Sequence, residues 1–239
     1  MPGRWLSQGL RLRPRRPPLV RQQSLRQPRP RRRPRTPQPL SCPVPEVLVS
    51  LPSEPAIVLL TGIQAAGKST VAQMLAERLP RSVHVRGDGF RRMIVNGRAD
   101  MSPDPSAEAA VRQLRLRHRL TAATCDAYFD AGFTVVAQDV VLGEHLGEMV
   151  ELIRRRPLLV VVLAPRPEAI AAREEGRGKT AYDDWAITQL DAVLRRDTPR
   201  LGLWLDSSDQ SPAGAGEEIL ARAWTEARVS SAAGSPTGR

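Results

Sequence analysis

Lysine is nearly missing from this chain of 239 residues: Lys68 and Lys179 stand against 34 arginines. Where arginine is so heavily preferred, a retained lysine marks a place that needs a compact ammonium, or a chance survivor of biased composition. Cysteine is just as scarce. Cys42 and Cys125 lie in different regions without metal-ligand spacing, which excludes a disulfide scaffold and a zinc finger. His84, His118 and His145 are scattered along the chain and make no metal constellation in sequence. No hydrophobic run reaches about 18 residues, so a membrane span is not expected. Acidic residues are absent from the first 45 positions, which hold twelve arginines; that segment carries +12 of a whole-chain +11. The remainder is close to neutral, and a reducing cytoplasm suits it.

The Arg/Pro-rich start buries too little apolar surface to offset chain entropy, so residues 1–51 read as a disordered basic extension. A basic arm for nucleic acid or an anionic membrane surface, a transit-like leader, and a dispensable or upstream-initiated extension are the readings it allows. Residues 52–229 have the size of one α/β domain, and 230–239 read as a frayed tail.

Within that domain, Gly62-Ile63-Gln64-Ala65-Ala66-Gly67-Lys68-Ser69, followed by Thr70, fits the G-x-x-x-x-G-K-[ST] pattern. Each fixed position has a physical task. The glycines let the backbone turn its N–H groups around a β-phosphate, Lys68 reaches the β- and γ-phosphates, and the Ser69 hydroxyl ligates Mg²⁺. The apolar run 56–60 reads as a buried strand before the loop. Val71, Met74, Leu75 and Leu79 then recur at helical spacing until Pro80. Further strands are predicted over 82–86, 133–137, 158–163 and 201–205. Helices are predicted over 107–131, from Glu168, over 183–196 and over 217–228. Such alternation implies a parallel sheet covered on both faces, with ligands beyond the carboxyl ends of its strands.

The remaining chemistry-bearing residues fall at those ends. Asp88 closes the second strand, where a carboxylate can take the proton of an attacking hydroxyl; it is also a good cap for a helix starting near Phe90. Arg91 and Arg92 follow as candidate substrate contacts, of which one at most is expected to point inward. Asp139, closing the third strand, can hold Mg²⁺ through water, orient the acceptor, or simply cap a turn. After the fourth strand, residues 173–179 place glycine hinges among cations. That suits a mobile lid in which Arg173 and Arg177 close over the transferring phosphoryl group, or a solvated charged loop. Asp206-Ser207-Ser208-Asp209, at a sheet end, reads most simply as a turn, with a border of the base site as the alternative.

Taken together, GIQAAGKST, RGDGFRR, VVAQDVVLG and AREEGRGK resemble the small P-loop kinases over about residues 56–228, especially the chloramphenicol phosphotransferase-like group. Adenylylsulfate kinase, gluconate kinase and zeta-toxin-like kinases are also similar. The resemblance implies a nucleotide-kinase-like P-loop NTPase, a three-layer α/β/α sandwich on a five-stranded parallel sheet, and transfer from ATP to a hydroxyl. It matches Lys68 and Ser69 to the nucleotide loop, Asp88 to the base, and Arg173 and Arg177 to the lid. Gln138 stands where members of that group can carry a second acidic residue, and the Arg/Pro extension has no counterpart. The expected function is therefore ATP- and Mg²⁺-dependent phosphorylation of a small hydroxylated molecule. An NTPase switch, a polynucleotide 5′-hydroxyl kinase and a nucleic-acid binder using the tail are the alternatives.

Overall fold

The apolar runs become a sheet whose order follows from parallel pairing. The computed structural model describes residues 54–99, 108–175 and 184–230. The readings for 1–51, for the stretch around Pro103 and Pro105, for the lid at Arg177 and Lys179, and for 231–239 lie outside the described residues. Strand β1 (Ile57–Gly62) is flanked by β3 (Thr134–Gln138) and β4 (Leu158–Leu163). Beyond these lie β2 (Ser82–Arg86) and β5 (Leu203–Leu205), giving the order β2-β3-β1-β4-β5, all parallel. A short β6 (Arg228–Val229) pairs antiparallel with the start of β4, along the stretch that β5 leaves open.

Strands β1, β3 and β4 are buried at every position, as strands covered on both faces must be. Their side chains separate by the period of two into two cores. Ile57, Leu59, Val135, Val160 and Val162 share one cluster with Cys125 of α3 (Glu108–Asp130) and with Leu146 and Met149 of α4 (Glu144–Leu152). Val58, Leu60, Val136, Leu159 and Val161 join the other. It contains Val71 and Leu75 of α1 (Lys68–Arg78) and Ile219 and Ala223 of α7 (Pro212–Glu226). Helix, sheet and helix form three layers, the expected sandwich.

The differences from the sequence reading are local. Helix α4 was not anticipated: it spans nine residues and carries Gly147 mid-way, so its apolar period is short, yet it buries Leu146, Met149 and Val150. Helix α7 starts at Pro212, five residues before the expected Glu217. Ser211 caps it by accepting the Gly214 N–H at 3.1 Å, and proline occupies its first turn. Strand β5 omits Leu201, whose N–H bonds locally to the Pro199 carbonyl. The predicted helix over 183–196 is α6 (Asp184–Ala192), continued by a π-helical turn, Val193–Asp197. Helix α5 (Pro167–Glu175) follows β4, and α2 (Gly87–Arg92) follows β2 without a break.

Candidate functional site

Strand β1 delivers the chain to Gly62, where the phosphate loop begins. Gly62 has φ 144°, and a Cβ there would lie 2.4 Å from the Leu163 carbonyl oxygen, so only glycine permits the turn beside β4. Helix α1 then starts at Lys68. Its N-terminus has no side-chain cap and no acidic residue in the first turn, leaving the loop end electropositive. Lys68 is 8% exposed, and its Nζ donates to the Ile63 carbonyl at 2.7 Å, folding the side chain back over the loop.

A cleft of about 170 Å³ brings together Gln64, Ala65, Gly67, Lys68 and Ser69 from the loop, Asp88 and Arg92 from α2, and Gln138 and Asp139 from the end of β3. Asp88 is not the cap of α2. The helix begins one residue earlier, so Asp88 sits in its first turn and its carboxylate pairs with Arg92, one turn on. The adjacent arginines both line cavities, but different ones. Arg92 borders the phosphate cleft, while Arg91 faces a second space of about 270 Å³ walled by Phe90, Met93, Ile94, Leu114, Arg117 and Leu120. A helix turns roughly 100° per residue, which separates neighbours in this way.

Asp139 is the most constrained of the group. Its Oδ1 accepts the Val140 N–H at 2.7 Å, and its Oδ2 lies 2.9 Å from Arg117 Nε. Burial pushes the Asp139 carboxyl above the usual carboxylate range, and the Arg117 guanidinium, the Val140 N–H and Lys68 act against that rise. Gly87 makes the close packing possible, since a Cβ at that position would meet Asp139 Oδ2 at 2.2 Å. Arg117 had not been singled out from the sequence. It lies on α3, borders the apolar cavity and pairs with the carboxylate of the phosphate cleft, so it stands between the two spaces.

Arg173 stands elsewhere. From α5 its Nη2 donates to the Ser207 carbonyl at 2.6 Å. There it lines a third cavity, about 370 Å³, with Ala66, Gly67, Thr70, Val71, Gln210 and Pro212. The Asp206–Asp209 segment is a turn, with Asp206 Oδ1 accepting the Ser208 N–H at 2.9 Å. Ser207 Oγ and Gln210 Oε1 are buried there without a hydrogen-bond partner.

Residues 57–199 match the family model described as an AAA domain. Among solved structures, a sugar kinase from Janibacter sp. HTCC2649 is 20% identical, with 70% of this chain and 92% of that one aligned and a TM-score of 0.53. The tunicamycin resistance protein of Deinococcus radiodurans is 16% identical over 74% of this chain and 100% of its own, with a TM-score of 0.55. A gluconokinase from Sinorhizobium meliloti 1021 is 17% identical over 70% and 90%, with a TM-score of 0.50. At these identities the likeness is one of fold, a parallel sheet between two helical layers. No curated protein sequence matches the chain.

Proposed function

The chain belongs to the AAA domain family, and from that premise we propose that it is an ATP- and Mg²⁺-dependent phosphotransferase acting on a hydroxyl group of a small molecule. The observation that carries this reading is the convergence of Lys68, Ser69, Asp88 and Asp139 on one cleft, beside an apolar cavity bounded by α2 and α3. The residues present fit Mg²⁺. Ser69 and Asp139 are hard oxygen donors lining that cleft, and Asp139 Oδ2, paired with Arg117 Nε at 2.9 Å, suits an outer-sphere role through water. Ser69 would hold the ion directly and Asp139 through water. When bound, Mg²⁺ supplies charge neutralisation on the β- and γ-phosphate oxygens.

The chain's own groups divide the remaining work. Loop N–H groups of 62–70 and the electropositive start of α1 cradle the phosphates, and Lys68 exchanges its bond to Ile63 for phosphate oxygens. Asp88 accepts the acceptor's proton. The acceptor occupies the space walled by Phe90, Met93 and α3, with Arg91 as a polar contact and Arg92 bordering the phosphates. Ser207, Gln210 and Arg173 face the nucleoside side. Closure over the transferring phosphoryl group falls to Arg177, with Arg173 joining it once released from Ser207. Among the described residues no helix is long and apolar enough to cross a membrane.

The decisive experiment incubates the full chain with Mg²⁺-ATP and pooled hydroxylated metabolites and antibiotics, and seeks by mass spectrometry a gain of one phosphoryl group. A phosphorylated small molecule supports the reading. ADP formation with no modified acceptor replaces it with an NTPase switch. Selective phosphorylation of an oligonucleotide 5′-end, lost on removing residues 1–45, replaces it with a polynucleotide kinase. With an acceptor in hand, Asp88→Asn is expected to lower kcat about 10²–10⁴-fold while leaving the ATP dissociation constant nearly unchanged. Steady-state kinetics paired with calorimetric ATP titration checks this, and unchanged turnover would remove Asp88 from the mechanism.

A further inference from the structure

Helices α3 and α4 pack together and unite two of the histidines that look scattered in the sequence. The rings of His118 and His145 meet edge to face, their centroids 5.8 Å apart. His118 is 1% exposed, and neither of its ring nitrogens has a hydrogen-bond partner. A neutral imidazole offers one N–H and one lone pair, and burying both unpaired is a costly arrangement that calls for an ion or a water to complete it. Beside it, His145 Nδ1 lies 2.9 Å from Glu148 Oε2. Donor atoms of Glu144, His145 and Glu148 all fall within 4.8 Å of one another, and His118 and Glu148 line the same cavity, about 340 Å³ in volume.

We propose that Glu144, His145 and Glu148, whose donor atoms already cluster, form with the adjacent unpartnered His118 a binding site for a divalent transition-metal ion of the zinc class, the His118 ring turning to reach the ion. Two imidazoles with carboxylate oxygen are a borderline donor set that favours Zn²⁺ over Mg²⁺, so this site and the phosphate cleft select different ions. Metal entry would replace the direct His145 Nδ1–Glu148 Oε2 contact with bonds from both residues to the ion. The surrounding charges work in both directions. Arg115 lies 3.5 Å from Glu148 Oε1 and Arg119 lines the cavity, while Glu144 and Glu151 offset them. An ion here would staple α3 to α4 and hold the register of α3, whose neighbouring Arg117 meets Asp139.

The test uses the full-length protein, stripped with a chelator and then titrated with Co²⁺ as an optical stand-in for Zn²⁺. The expected result is one saturable site per chain with visible absorption, reversed by Zn²⁺ and indifferent to excess Mg²⁺-ATP. His118→Gln and His145→Gln should each weaken binding about tenfold or more. Zn²⁺ should raise the melting temperature of the wild type and not of either variant. Should His118→Gln fail to fold, the half-buried His145 still decides the matter. Absence of saturable binding would leave water as the partner of His118 and overturn the proposal, as would binding that is unchanged in His145→Gln.

Discussion

Replacing Lys68 with alanine should reduce phosphoryl transfer at least about 10²–10³-fold, the effect expected when one donor to the developing charge is lost from a water-poor cleft. The reasoning starts from composition. In a chain with two lysines and 34 arginines, a lysine occupies the one loop position where an ammonium reaches the β- and γ-phosphates. The structure adds a steric reason. Lys68 is 8% exposed, and its Nζ rests 2.7 Å from the Ile63 carbonyl, a fit for a point charge that a planar guanidinium does not share. Lys68→Arg is therefore expected to be nearly as inactive as Lys68→Ala, although charge is kept. Initial rates of transfer with the acceptor found in the metabolite pool measure both variants, and melting temperatures close to wild type would show that the fold is not the cause. Full activity in Lys68→Ala would refute the proposed mechanism.

The loop was legible because its meaning is local. A buried run, two glycines at a set spacing, a lysine and a hydroxyl are read in order along the chain, and the strand and helix on either side are read from their own periods. The layered sheet followed from alternation for the same reason. What escaped depends on distant partners. Helix α4 has a weak period and owes its place to burying Leu146, Met149 and Val150 under the sheet. Arg117 is one of Arg112, Arg115, Arg117 and Arg119, indistinguishable by type, and only the packing of α3 against β3 selects it for Asp139. Arg173 likewise reads as part of a charged lid, yet its guanidinium is held by the Ser207 carbonyl, 34 residues later in the chain. The same holds for His118 and His145: each is unremarkable in sequence, and only the meeting of two helices makes them neighbours.

Arg117→Met is expected to destabilise the fold by about 3–5 kcal/mol, the usual cost of removing one partner from a buried ion pair. For a domain of this size that lowers the melting temperature by roughly 10 °C. Asp139 makes the cost high. Its carboxylate side chain is 2% exposed, burial already acts against its charge, and its counter-ion at 2.9 Å is Arg117. Methionine fills much of the vacated volume on the α3 side, so the loss reports the orphaned carboxylate more than a cavity. A double-mutant cycle separates the two causes. Asp139→Asn keeps the oxygen that accepts the Val140 N–H and the shape that packs on Gly87, but removes the charge. If charge is the cause, Arg117→Met costs far less in the Asp139→Asn background, and the coupling is of the same order as the single loss. Denaturant melts at pH 7 provide the four stabilities. Additive losses would mean that Arg117 contributes through its packing against Leu114 and Leu120 in the apolar cavity, and Asp139 would then have to be stabilised by its remaining neighbours, the Val140 N–H and Lys68.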